Sequence, residues 1–151
     1  MNINTKLQTG FVDLPNGERF YVHISGNGED ILFMIHGMWL DHRCLNPLFP
    51  YLEENFTIIA PDFRGHGKSS YKNPIKNVDD FVEDLSYLMD YFEIKKVYFF
   101  GWCGGSSVAL KYASINPDRV EKIVVCSPPG LEGLPLFKLG NLGERFLFKI
   151  N

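Results

Sequence analysis

The chain has 151 residues, of which 45% are hydrophobic and 22% charged, with a formal net charge of −3. That length suits one domain with its own core, and that composition is ordinary for a soluble globular protein. With a pI near 5.8 there is no basic field to draw phosphate, so nucleic acid is not expected as a partner.

GFVDLPNGERFYVHISG reads as two short strands around a Pro15-Asn16-Gly17 turn, a β-hairpin. ILFMIHG, Ile31 to Gly37, is a continuous apolar run closed by glycine, as a strand buried on both faces would be. A helix is expected next, from Asp41 or His42 to Asn55, with Pro47 and Pro50 interrupting its pattern. FTIIAPD is a second buried strand and FRGHGKSSYKNP a long glycine-bearing loop. A helix starts near Asn77, where Val78, Phe81, Val82, Leu85, Leu88, Met89 and Phe92 share one face. Asp79, Asp80, Glu83 and Asp84 crowd its first turns, where the helix dipole favours negative charge, and read as a solvated face. KKVYFFG is a third strand, followed by a helix from Gly104 to Asn116 that Asn116-Pro117 stops, and KIVVCSPPG is a fourth. A hairpin followed by β-α-β-α-β-α-β predicts an α/β fold: a mostly parallel sheet with helices on both faces.

The three cysteines, Cys44, Cys103 and Cys126, form no CxxC pair, so neither a disulfide framework nor a zinc site is expected, and no cofactor is implied. MNINTKLQTGF has no basic region followed by an apolar stretch, and nothing approaches about 18 uninterrupted apolar residues. A cytoplasmic chain without a signal peptide or membrane span is the expectation.

Sites in open parallel sheets lie beyond the carboxyl ends of the strands. HGMWLDH, DFRGHGKS, the turn around Cys103 and SPPG occupy those places. Gly101-Trp102-Cys103-Gly104-Gly105 fits G-x-nucleophile-x-G, a strand-to-helix elbow with cysteine as the nucleophile. Gly101 and Gly105 leave room where Cβ atoms would clash, and the helix N-terminus favours a thiolate. A buried cysteine in a glycine-rich turn is the bland alternative. The coincidence of strand, elbow and a helix of small residues (Ser106, Ser107, Ala109) favours the nucleophile.

From about Phe11 to Gly130 the chain resembles the α/β-hydrolase superfamily. The resemblance rests on His36-Gly37, on Asp62-Phe63-Arg64-Gly65-His66-Gly67-Lys68-Ser69, and on the elbow. It implies that Met38 and Gly104 donate backbone N–H groups to an oxyanion, and that Trp39 and Trp102 line an acyl or alcohol pocket, though either could be core. It also gives His36 a structural role in the oxyanion loop and makes Asp62, Arg64, Gly65, His66, Gly67 and Ser69 a loop-shaping motif. Cysteine stands in the elbow of a minority of the superfamily, as in dienelactone hydrolase. The implied substrate is a small ester or thioester, cleaved through a thioester intermediate by hydrolysis or by acyl transfer.

Family order is nucleophile, acid, histidine, yet His23, His36, His42 and His66 all precede Cys103. His23 is expected to be exposed in the edge hairpin, and His42 is the one unorthodox candidate base. Residues 1–130 are therefore read as a partial hydrolase core, truncated after the fourth parallel strand. Residues 131–151, rich in Leu and Phe, are read as the start of a lid, with a membrane-contacting helix as the sharper alternative. The expected product is the nucleophile-bearing part of a longer enzyme, inactive alone, that self-associates or pairs with the missing C-terminal half. A catalytically silent binding module is the runner-up, and a complete enzyme with an unusual base comes third.

Overall fold

In the computed structural model, which describes residues 8–129, the chain enters through an antiparallel hairpin of β1 (Gly10–Asp13) and β2 (Arg19–Ser25). Gly17 takes φ 86° in the turn between them, a value that favours glycine. Four further strands follow: β3 (Asp30–Ile35), β4 (Phe56–Pro61), β5 (Val97–Trp102) and β6 (Val120–Cys126). The six form one sheet in the order β1-β2-β4-β3-β5-β6. β2 meets β4 antiparallel, and β4, β3, β5 and β6 run parallel. The α/β architecture expected from the alternation of elements is the one observed.

Alternation along β3 explains why it reads as one apolar run. Phe33 and Ile35 join the larger core under α2 (Val78–Tyr91) and α3 (Gly104–Ile115), while Leu32 and Met34 join a smaller core on the other face with Leu45 and Phe49. Leu85, Leu88 and Met89 on α2 are fully buried, each stabilising the fold by about 1.5–3 kcal/mol relative to an exposed side chain. Asn77 caps α2, and Asp80 completes a capping box with it.

Two expectations need correction. The segment after β3 is not one helix to Asn55 but a 3₁₀ stretch, His42–Leu48, and a single turn, α1 (Phe49–Leu52). Pro47 can donate no backbone N–H within the first piece, whereas Pro50 sits in the first turn of α1, where a missing donor is harmless. Asp84 is not on a solvated face either. It is fully buried and accepts hydrogen bonds from Arg64 Nε (2.6 Å), Arg64 Nη2 and Asn16 Nδ2. The guanidinium of Arg64 is pushed to a higher pKa by its hydrogen bond to that carboxylate. Hairpin turn, motif loop and α2 are thus pinned at one point.

At the far edge of the described sheet, Val124 is 56% exposed and Cys126 is exposed. No helix among the described residues is long and apolar enough to cross a membrane. The expected lid, 131–151, lies outside the described residues.

Candidate active site

Strand β5 turns into α3 through Cys103, whose backbone sits at φ 50°, ψ −117°. Such a conformation costs a non-glycine residue on the order of 1–3 kcal/mol and persists only where the surroundings enforce it. Here the Cys103 N–H donates to the Cys126 carbonyl at 2.9 Å, and the Cys103 carbonyl accepts from the Ser106 N–H at 3.0 Å. Buried Ser106 also donates through Oγ to the Gly101 carbonyl, 2.6 Å away. From sequence Ser106 is merely a small residue; its role as a clasp between β5 and α3 emerges only from the fold.

Close approach makes the flanking glycines necessary. A Cβ at Gly101 would lie 2.6 Å from Ser106 Cα, and one at Gly105 would lie 2.3 Å from the Ile35 carbonyl oxygen. The first turn of α3 is therefore pressed against the end of β3, which brings the two predicted segments together. A Cβ at Gly37 would meet Cys103 Cβ at 3.3 Å, and one at Gly104 would come within 3.5 Å of Met38 N. Gly37, Met38, Cys103 and Gly104 share one place at the carboxyl edge of the sheet. Three of the four non-glycine residues with positive φ among the described residues, Trp39, Cys103 and Ser127, follow the ends of β3, β5 and β6 there.

His36 fixes the loop that carries Met38. Its Nδ1 lies 2.7 Å from the Gly37 carbonyl, and its Nε2 accepts from the Phe63 N–H at 3.1 Å. Nδ1 must therefore carry the proton of a neutral ring, and burial lowers the His36 pKa in the same sense. Asp62 organises the neighbouring loop: its carboxylate accepts from the His42 N–H at 2.9 Å and the Lys68 N–H at 3.0 Å. Gly67, at φ 52°, leaves the space in which a Cβ would lie 2.1 Å from Asp62 Oδ2. Ser69 Oγ donates to the Asp62 carbonyl and accepts from the Tyr21 N–H. Gly65, at φ 75°, donates its N–H to Ser70 O. Asp62 and Ser69 hold backbone in place, Gly65 and Gly67 supply the positive φ of the loop, and Arg64 ties it to Asp84.

The remaining candidates are less centrally placed. His42 is buried with Nδ1 2.7 Å from Asp62 Oδ1, and its ring stacks on His23 at 5.3 Å. His23 is consequently half-buried rather than exposed, sandwiched between His42 and Phe49. Asp41, His42 and Asp62 bring ligand-type atoms within 4.8 Å of one another. Their oxygens already have protein partners, however: Arg43 binds Asp41 in a bidentate pair that lowers the Asp41 pKa to about 2. Trp102 packs against the Leu32–Met34 core, whereas Trp39 is 91% exposed beside the site. Cys44 is half-buried, and burial pushes its thiol up; Cys126 is exposed. A pocket with a free volume of about 10 Å³ lies between His36, Met38, Phe63, His66 and the first turn of α3.

Residues 30–148 match the family model of the alpha/beta hydrolase fold. The chain belongs to the α/β-hydrolase family. The soluble epoxide hydrolase of Corynebacterium sp. (strain C12) is 34% identical to it over 122 residues, covering 77% of this chain and 41% of that protein. Among solved structures, an epoxide hydrolase of the superfamily from metagenomes of hot environments superposes with a TM-score of 0.76 at 26% identity, covering 83% of this chain and 43% of that one. A putative acyltransferase from Salmonella enterica gives 0.73 at 28% identity, over 83% and 43% of the two chains. The chain spans less than half the length of the curated relatives it matches. In this member of the family the Cys103 turn lies where strand β5 gives way to helix α3.

Proposed function

We propose that Cys103 attacks the carbonyl carbon of a small carboxylic ester or thioester, with Met38 and Gly104 supplying backbone N–H groups to the oxyanion. The observation that carries this reading is the strained Cys103 backbone at φ 50°, held where Gly37, Met38 and Gly104 converge. Attack by the thiolate forms the C–S bond and moves the carbonyl electron pair onto oxygen. Collapse expels the alcohol or thiol, which takes a proton from solvent, and leaves an acyl-Cys103 thioester. One oxyanion donor contributes roughly 3 kcal/mol to such a transition state. An amine, or water where a base activates it, then accepts the acyl group. Exposed Trp39 stands next to the site as a surface for the acyl or alcohol part.

A second reading, a hydrolase-fold module that binds without turning over, is favoured by one observation. All four histidines in these 151 residues precede Cys103, and both ring nitrogens of His36 are already engaged. Incubation with p-nitrophenyl acetate followed by intact-mass and peptide analysis separates the two. An acetyl adduct on Cys103, absent from Cys103→Ala, supports the nucleophile. Acetylation confined to Cys44, Cys126 or lysines rejects it.

A further inference from the structure

The motif loop contains a histidine that this reaction does not use. His66 is buried, and its Nδ1 lies 2.9 Å from the Arg64 carbonyl oxygen. A carbonyl only accepts, so Nδ1 carries the proton and Nε2 is left as a bare acceptor. Nε2 is itself buried and has no hydrogen-bond partner among the described residues. The ring lines the pocket under the Met38 loop, where the other lining side chains are apolar or, in His36, already engaged at both nitrogens. A buried acceptor left without a donor is unfavourable, and a free volume of about 10 Å³ is enough to hold a water.

We propose that this pocket is a binding site for a single ordered water, and that His66 acts through it as a positioning residue for the oxyanion donors. One water proton goes to His66 Nε2. The other is offered to the backbone at the end of β3, where Ile35, His36 and Gly105 line the same pocket. The water thereby ties the motif loop to the β3 backbone just before Gly37 and Met38. The positioning role rests on the proposed function; the water site does not.

The two parts are tested separately. Water–amide cross-relaxation in the NMR spectrum of the full chain is expected at the Gly105 N–H, together with ring ¹⁵N shifts of a His66 protonated at Nδ1. His66→Phe removes the acceptor and should abolish the cross-peak, while His66→Gln, whose amide oxygen reaches a similar place, should keep it. Absence of the cross-peak in the wild type overturns the site. For the role, acylation of Cys103 by p-nitrophenyl acetate is compared with its alkylation by iodoacetamide, which passes through no oxyanion. His66→Phe should slow acylation by about tenfold, leave alkylation unchanged and be largely rescued in His66→Gln. Equal slowing of both reactions, or of neither, overturns the positioning role. A wild-type chain never acylated at Cys103 overturns the proposed function and the positioning role together, while the cross-peak still establishes the water.

Discussion

At the scale of single residues, the elbow rests on glycines that tolerate no carbon. A Cβ on Gly105 would lie 2.3 Å from Ile35 O and 2.6 Å from His36 O, both backbone atoms that cannot swing aside. Gly105→Ala must push α3 off β3, and chemical denaturation should show a loss of about 3 kcal/mol. Gly10→Ala, with nothing within 4 Å of the added carbon, should leave the midpoint nearly unchanged. His36 makes the same neighbourhood sensitive to acid. Its buried, neutral ring has a pKa below the ordinary 6.5, so the unfolded chain takes up the proton first as pH falls. The stability it contributes is fully present above about pH 6.5 and is lost as pH drops through the lowered folded value. His23, half-buried against His42, has its pKa lowered by burial and acts in the same direction. Thermal unfolding followed between about pH 7 and pH 5 should show a falling midpoint, and His36→Gln should reduce that slope. An unchanged slope would show that His36 is not the group titrating.

At the scale of elements, the strands were legible because each apolar run ends in glycine or a turn, and α2 because Val78, Phe81, Val82, Leu85 and Leu88 repeat at helical spacing beside a capping Asn77. The segment between β3 and β4 was not. Its prolines divide it into a 3₁₀ stretch and a single α turn, and apolar spacing alone does not register the division. Asp84 was misread for a different reason. Asp79 and Glu83 beside it are exposed, so its charge blends into a dipole-matched turn, while its partners lie 20 and 68 residues away at Arg64 and Asn16. Such pairings depend on the fold and leave no local pattern. Asp84→Ala would strand the buried Arg64 guanidinium and should cost about 3–5 kcal/mol in urea unfolding. Replacing both partners with apolar residues of similar volume should recover much of that loss. A single variant as stable as the wild type would show that the guanidinium finds another partner or water.

At the scale of the whole molecule, the described residues form a hairpin, four parallel strands and the helices that cover them, with the candidate nucleophile at the sheet's carboxyl edge. The turn at Cys103 was legible as a strand-to-helix junction because glycine spacing is local. The base that would complete it was not, because a catalytic histidine is defined by where the fold returns it, and the four in this chain all precede Cys103. Among them His42 has its Nδ1 held by Asp62 and its ring stacked on His23. On the proposed reading, thiol and oxyanion donors suffice for one acylation, whereas hydrolysis of the thioester needs a base to activate water. The 151-residue chain should therefore release about one equivalent of nitrophenolate per Cys103 and then stop. Hydroxylamine, an amine nucleophile that attacks thioesters without that base, should discharge the acyl enzyme and restart release above the background seen with Cys103→Ala. Sustained turnover in water alone, lost in Cys103→Ala, would place the base within these residues and make His42 the first to replace.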